Sequence, residues 1–143
     1  MGITSGARPA GRLKRCLGRA AERTVDRKGH ILVVETDDLI RGLLARWLGE
    51  AGHPVHAGAV GDPAPEGGVR LVIADVASPR RAGSLVASLR AYQAPILIVS
   101  GRFRRGLGAS AAAARQLGVE GVLPKPFTRS ELLAAVGEII EDP

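Results

Sequence analysis

The sequence is poor in cysteine and in aromatic residues. Cys16 is the single cysteine of 143 residues, which excludes an internal disulfide framework and a metal site built from several cysteines. The aromatic residues are limited to Trp47, Tyr92, Phe103 and Phe127, although 45% of the residues are hydrophobic. A hydrophobic core must therefore consist of Val, Ile, Leu and Ala, which is typical of a parallel β-sheet buried on both faces.

Long hydrophobic runs are also missing. No apolar stretch approaches the roughly 20 residues that span a bilayer, and no apolar segment follows the first basic residues as it would in a secretion signal. We therefore expect no membrane span, and the low cysteine content favours a reducing, cytoplasmic location. A chain of 143 residues has room for one folded domain.

Charge is unevenly divided along the chain. Residues 1–28 contain eight basic and two acidic residues, whereas residues 29–143 contain twelve of each, so the net charge of +6 belongs to the first segment. We predict a basic extension over residues 1–28, disordered or partly helical, and a folded domain over residues 29–143. Because the folded part is neutral in sum, we expect no DNA-binding domain.

Short apolar segments alternate with helical patterns throughout residues 29–143. The predicted strands cover residues 30–35, 54–57, 71–75, 95–100 and 119–123. The predicted helices cover residues 37–50, 84–92, 110–117 and 128–140, with Asp37 as a cap of the first and a capping box at residues 128–131 at the start of the last. Residues 58–68 are rich in Gly and Pro and have no helical period, so the second helix of the alternation is shortened or absent. This pattern predicts a doubly wound α/β domain with a parallel sheet.

Four chemically complementary residues stand at the carboxyl ends of predicted strands, namely Glu35, Asp75, Ser100 and Lys125. These ends meet at one edge of a parallel sheet. A carboxylate can attack phosphorus directly if a cation and hydroxyl donors neutralise the developing charge. We therefore interpret Asp75 as a nucleophile, Lys125 as its ammonium partner and Ser100 as a hydroxyl donor. The alternative is structural, with Asp75 capping the next turn and Ser100 binding backbone.

Four stretches of the sequence together resemble the receiver domains of bacterial response regulators. They are residues 31–35 with Arg41 downstream, 71–79 with Gly83, 98–101, and 121–127. The resemblance implies a flavodoxin-like, five-stranded sheet with strand order 2-1-3-4-5. It also implies a stand-alone signalling domain, not an enzyme, that takes a phosphoryl group from a histidine kinase or phosphotransfer protein and signals to a downstream protein by direct contact.

The resemblance also implies a role for each candidate site residue. Asp75 would be the phosphoacceptor, and Ser100 and Lys125 would bind the phosphoryl group and act in the switch. Mg²⁺ would be held by Glu35, by Asp75 and by the backbone carbonyl of Ala77.

The sequence departs from the family pattern at the metal site. Thr36 stands where relatives have a second acidic residue, and a neutral hydroxyl is a poor ligand for a hard divalent cation. We expect weakened Mg²⁺ binding, with Asp37 as an alternative ligand. A second hypothesis follows, in which the chain is a degenerate pseudo-receiver that binds its partner without phosphorylation. Val122 also replaces an aromatic residue of many relatives, and the Lys125–Pro126 bond is expected to be cis as it often is among them.

Two other classes of protein share related α/β scaffolds. A phosphatase with an aspartate nucleophile needs a second acid two residues later, where this chain has Ala77. A flavodoxin-like flavin binder needs a Ser/Thr-rich phosphate loop after the first strand, which the sequence lacks. Both are therefore weaker alternatives, and the fold alone does not decide the chemistry.

Overall fold

Strands and helices alternate in the computed structural model, which describes residues 29–76, 79–102 and 107–140. The strands are β1 (His30–Val34), β2 (Val55–Ala57), β3 (Val69–Asp75), β4 (Ile96–Ser100) and β5 (Gly121–Pro124). The helices are α1 (Asp38–Glu50), α2 (Pro79–Leu89), α3 (Leu107–Leu117) and α4 (Arg129–Ile140), with a 3₁₀ turn at Arg90–Tyr92. The extension expected over residues 1–28 lies outside the described residues.

All neighbouring strands pair in parallel, and the sheet has the order β2-β1-β3-β4-β5. Ile73 lies opposite Leu97, and Leu97 lies opposite Gly121. The predicted flavodoxin-like architecture is therefore confirmed. Strand order reverses direction between β1 and β3, where doubly wound sheets place their ligands.

Each face of the sheet has its own hydrophobic core. The helices α1 and α4 cover one face with four buried residues, Leu44, Leu48, Leu132 and Val136. The helices α2 and α3 cover the opposite face with Ala82, Val86, Leu89 and Ala114. Alternate residues of the central strands point into the two cores, which explains why these strands are apolar without interruption.

Helix starts follow the predicted capping chemistry at two of the four helices. The Asp37 carboxylate accepts hydrogen bonds from Leu39 N at 2.9 Å and Ile40 N at 3.1 Å, which caps α1. At α4, the Glu131 amide donates to the Thr128 hydroxyl at 3.0 Å, and the Thr128 amide donates to the Glu131 carboxylate at 2.9 Å. This reciprocal pair is a capping box.

No helix connects β2 to β3, as the Gly/Pro content of residues 58–68 predicts. The loop is held by the Tyr92 hydroxyl, which donates to the Asp62 carbonyl at 2.7 Å, and by the Asp62 carboxylate, which accepts from Ala59 N at 2.9 Å. The Gly58 amide donates to the Val33 carbonyl at 3.0 Å. Hydrogen bonds therefore order a segment that has no regular secondary structure.

Some element boundaries differ from those predicted. Helix α2 begins at Pro79, five residues before the predicted start, because proline is well suited to the first position of a helix. Helix α3 begins at Leu107, three residues early, and β5 covers Gly121–Pro124 instead of residues 119–123. Within the described ranges, no helix combines the length and apolar character needed to cross a membrane.

Candidate functional site

The four residues singled out at strand ends lie at one edge of the sheet. The ammonium Nζ of Lys125 is 2.8 Å from Asp75 Oδ1 and 3.0 Å from Glu35 Oε1. Only 18% of the Lys125 side chain and 19% of the Asp75 side chain are exposed, and Glu35 is buried. One lysine after β5 therefore neutralises two carboxylates that come from β1 and β3.

Strand register brings these residues together. Asp75 is the last residue of β3 and lies opposite Val99, so that Ser100 extends one residue further along β4. Ser100 lies opposite Pro124, and its carbonyl accepts a hydrogen bond from the Lys125 amide at 2.9 Å. The peptide bond that follows Lys125 is cis, as the resemblance implied.

The two carboxylates determine the electrostatics of Lys125. Burial alone lowers the pKa of a lysine, but the hydrogen bonds and charges of Asp75 and Glu35 outweigh burial and raise the pKa of Lys125 above its ordinary 10.5. The ammonium is therefore fully charged at neutral pH. A charged, partly buried ammonium is the group expected to stabilise negative charge on a phosphoryl group bound to Asp75.

Ser100 is completely buried, and its hydroxyl is engaged on both sides. The hydroxyl donates to the Val76 carbonyl at 2.9 Å and accepts from the Arg102 amide at 3.0 Å. It therefore links the segment after β3 to the segment after β4. Because a hydroxyl has one donor proton, the Ser100 side chain cannot donate to another acceptor while it remains bonded to Val76.

The loop between β1 and α1 is fixed by contacts that sequence reasoning missed. The Arg41 guanidinium donates to the Glu35 carbonyl at 2.9 Å and pairs with the Asp38 carboxylate. The Asp37 amide donates to Glu35 Oε2 at 3.0 Å. Arg41 was noted in the sequence only as part of a resemblance, and its spacing six residues after Glu35 was the one clue to this contact.

Known proteins of similar sequence and structure include response regulators and a sensor kinase. The chain is 35% identical over 117 residues to protein PetR of Rhodobacter capsulatus, an alignment that covers 78% of this chain and 48% of PetR. It is 30% identical to a response regulator protein of Burkholderia multivorans, covering 80% of this chain and 98% of that protein, with a TM-score of 0.54. The chain belongs to the family of response-regulator receiver domains.

A chemotaxis response regulator of Vibrio cholerae has the same fold, with a TM-score of 0.61 at 23% identity over 78% of this chain and 98% of that one. No protein-family model matches the sequence. The chain spans about half the length of PetR. The comparison therefore concerns the 117 aligned residues and not the whole of PetR.

Receiver domains of this kind typically use Mg²⁺ at the phosphorylation site. In this receiver, Glu35 and Asp75 are the two carboxylates near the expected metal position, and Lys125 pairs with both. Within the described part of the chain, no cluster of three or more His, Cys, Asp or Glu residues is arranged to hold a metal ion. Mg²⁺ is usually bound by one or two carboxylates and keeps several waters, so Glu35 and Asp75 fit the protein's share of such a site.

The structure also locates the remaining residues of the predicted metal site. Thr36 is exposed next to Glu35. The Asp37 carboxylate caps α1, and its Oδ1 atom already accepts two backbone hydrogen bonds. Ala77, whose carbonyl was expected to bind the metal, lies outside the described residues. Val122 is buried in the core beneath α2 and α3, as an apolar residue of β5 should be.

Proposed function

We propose that this receiver domain accepts a phosphoryl group on Asp75 from a histidine kinase or histidine phosphotransfer protein and signals by contact with a downstream protein. The observation that carries the proposal is the position of Lys125, whose ammonium lies 2.8 Å from the Asp75 carboxylate. A lysine held between two carboxylates supplies, beside Asp75, the positive charge that a phosphoryl group on that residue requires.

The chemistry follows from the partners of Asp75. Oδ1 accepts the hydrogen bond of Lys125, so Oδ2 is the oxygen that attacks the phosphorus of the donor. The new O–P bond forms as the bond from phosphorus to the donor's leaving atom breaks, and the leaving group keeps that electron pair and takes up a proton. The Lys125 ammonium offsets the negative charge that builds up on the phosphoryl oxygens.

The signal would leave the site through Ser100. Its hydroxyl would exchange the Val76 carbonyl for a phosphoryl oxygen, and the segment beginning at Gly101 would shift with it. That movement would bias the surface formed by α3, β5 and α4. If amide NMR spectra of phosphorylated and unphosphorylated protein were identical from Ser100 to Gly121, this output mechanism would be wrong.

Chemical phosphorylation tests the proposed acceptor directly. Incubation with acetyl phosphate or phosphoramidate should add about 80 Da, the mass of one phosphoryl group, to the intact wild-type protein. Asp75→Ala should show no adduct, whereas Asp62→Asn, a change in the loop beneath Tyr92, should be labelled like wild type. An adduct that persists in Asp75→Ala would show that Asp75 is not the acceptor.

A second function is favoured by one observation, the exposed and neutral Thr36 beside two carboxylates already paired with Lys125. In that alternative, the chain is a pseudo-receiver that binds its partner without phosphorylation. It would give no adduct with small phosphodonors, with or without Mg²⁺. It would also give none with a cognate kinase, while its partner would bind wild type and Asp75→Ala equally well.

A further inference from the structure

An apolar groove of about 330 Å³ lies on the face covered by α1 and α4. It is lined by Ile40, Leu43, Trp47, Lys125, Pro126 and Phe127. The rings of Trp47 and Phe127 pack edge to face with their centres 6.4 Å apart. Next to the groove residue Ile40, the Leu39 side chain is 73% exposed. A concave apolar surface of this kind is typical of a binding site.

The groove adjoins the candidate phosphorylation site. Lys125 contributes to its lining and also pairs with Asp75 and Glu35. Any group that occupies the groove therefore lies beside the strand ends where Asp75 is placed.

The chain itself carries a segment with suitable side chains. Leu13 and Leu17 are four residues apart, and Cys16 and Ala20 fall on the same side of a helical pattern. Basic residues fill the rest of this pattern at Arg12, Lys14, Arg15, Arg19 and Arg23. Two leucines on one side of a basic segment match a groove that is apolar over most of its lining.

The length of the connection allows the segment to reach the groove. Helix α1 runs opposite to β1, because β1 and β2 are parallel. Trp47, one turn before the end of α1, therefore lies towards the end of the domain where β1 begins. Residues 18–28 can extend over roughly 36 Å, whereas all 13 residues of α1 span about 20 Å.

Charge favours this face of the domain over the opposite one. Residues 76–119, which include α2 and α3, contain seven arginines and no acidic residue. Within this region, Arg80, Arg81, Arg90, Arg102 and Arg115 are exposed. By contrast, α1 with its cap Asp37, α4 and the strand-end site carry seven acidic residues against four basic ones. A basic segment is therefore repelled from the first face and attracted to the face that contains the groove.

We propose that Leu13 and Leu17 occupy this groove in the same molecule, with the basic residues around them facing the acidic side of the domain. A protein that approaches Asp75 from this side must then displace the segment. That consequence rests on the proposed function, whereas the docking itself does not.

The chain offers a natural pair of probes for this contact. Cys16 is its only cysteine and lies between the two leucines, and Trp47 is its only tryptophan and lines the groove. A nitroxide attached to Cys16 in the full-length protein should quench the fluorescence of Trp47 on contact. We expect the emission to fall to about half or less of that of the unlabelled protein, because a short tether gives a millimolar effective concentration.

Matched variants define the contact. Replacing both leucines, Leu13→Glu with Leu17→Glu, should restore the emission of the labelled protein, whereas Ile3→Glu should leave the quenching unchanged. Equal quenching in both variants, or none in the wild type, would overturn the proposal. Quenching that disappears on dilution would also overturn it, because the segment would then dock on a second copy of the chain. None of these measurements requires phosphorylation, so they remain informative if Asp75 proves not to be an acceptor.

Discussion

Lys125, which follows β5, contacts the ends of β1 and β3 through two ion pairs and the end of β4 through a backbone hydrogen bond. A sequence shows that a lysine lies between two prolines, but it does not show that one ammonium serves both Asp75 and Glu35. The position of the four site residues was predictable, because parallel strands bring their carboxyl ends to one edge. Their pairing depends on side-chain reach and burial, which strand order does not specify.

The raised pKa of Lys125 predicts a definite pH dependence of stability. A lysine with a raised pKa in the folded state stabilises the protein below its ordinary pKa of 10.5, and this contribution is lost as the pH rises through the raised value. The stability difference between wild type and Lys125→Met should therefore stay constant from about pH 8 to pH 10 and shrink above that range. Urea unfolding at each pH measures it.

The control for this prediction is Lys125→Arg. Arginine does not titrate in this range, so the stability of this variant relative to Lys125→Met should not fall at high pH. A wild-type difference that has already disappeared at pH 9 would contradict the assignment of the charge to Lys125.

We expect Thr36 to limit how tightly the site binds Mg²⁺. Replacing this exposed residue by aspartate adds a carboxylate oxygen beside Glu35, a ligand that Mg²⁺ prefers to a hydroxyl. Thr36→Asp should therefore tighten Mg²⁺ binding about tenfold or more, as measured by isothermal titration calorimetry. Thr36→Asn, which is similar in size but neutral, should bind as wild type does. Equal affinities for the two variants would show that a carboxylate at this position does not reach the ion.

At the scale of elements, substitutions of Asp37 test whether this residue of the loop before α1 acts as a helix cap or as a metal ligand. The sequence gives it two candidate roles, helix cap and substitute metal ligand, and in the structure its carboxylate accepts from Leu39 and Ile40. Asp37→Ala should lower the free energy of unfolding by about 1 kcal/mol, and Asp37→Ser should retain most of the stability because serine is also a good cap. Chemical denaturation provides the measurement.

Magnesium titration of the same variants completes this test. If Asp37 acts as a cap alone, Asp37→Ala and Asp37→Ser bind Mg²⁺ as wild type does. A loss of Mg²⁺ affinity in Asp37→Ser with unchanged stability would assign the carboxylate to the metal.

The helices were predictable from the sequence to different degrees. The apolar period of α1 and the capping box of α4 are local, so their positions followed from a few residues. The start of α2 was predicted too late because Pro79 was interpreted as part of a turn, although proline is also favoured at the first position of a helix. The contact of Arg41 with the Glu35 carbonyl was harder to predict, since it depends on how the loop before α1 folds back on the helix, whereas Asp38 and Arg41 are three residues apart on α1.

At the scale of the whole molecule, the two faces of the domain differ in charge, which the net charge does not show. Residues 29–143 are neutral in sum, but the exposed residues Arg80, Arg81, Arg90 and Arg115 all lie on the α2 and α3 side. The sequence alone could not show this, because the assignment of helices to sheet faces comes from topology. The two faces therefore present different surfaces to partners, one basic and the other mixed with an apolar groove.

The missing helix between β2 and β3 makes stability uneven across the sheet. The edge strand β2 has three residues, none of them buried, whereas β4 is buried throughout. The loop that replaces the helix depends on the hydrogen bond from Tyr92 to the Asp62 carbonyl. Strands with few buried contacts open locally at low free energy. In hydrogen exchange measured by NMR, amides of Val55–Ala57 should therefore exchange about a hundredfold or more faster than those of Ile96–Ser100.

Removing the Tyr92 hydroxyl tests whether the loop between β2 and β3 causes the uneven stability of the sheet. Tyr92→Phe removes the hydrogen bond to Asp62 but keeps the ring that packs against the core beneath α2. Exchange in β2 and at Gly58, whose amide donates to Val33, should accelerate further, while exchange in β4 should remain as in wild type. Equal amide protection of β2 and β4 in wild type would mean that the loop stabilises this edge of the sheet as well as a helix does. The explanation of uneven stability by the missing helix would then be wrong.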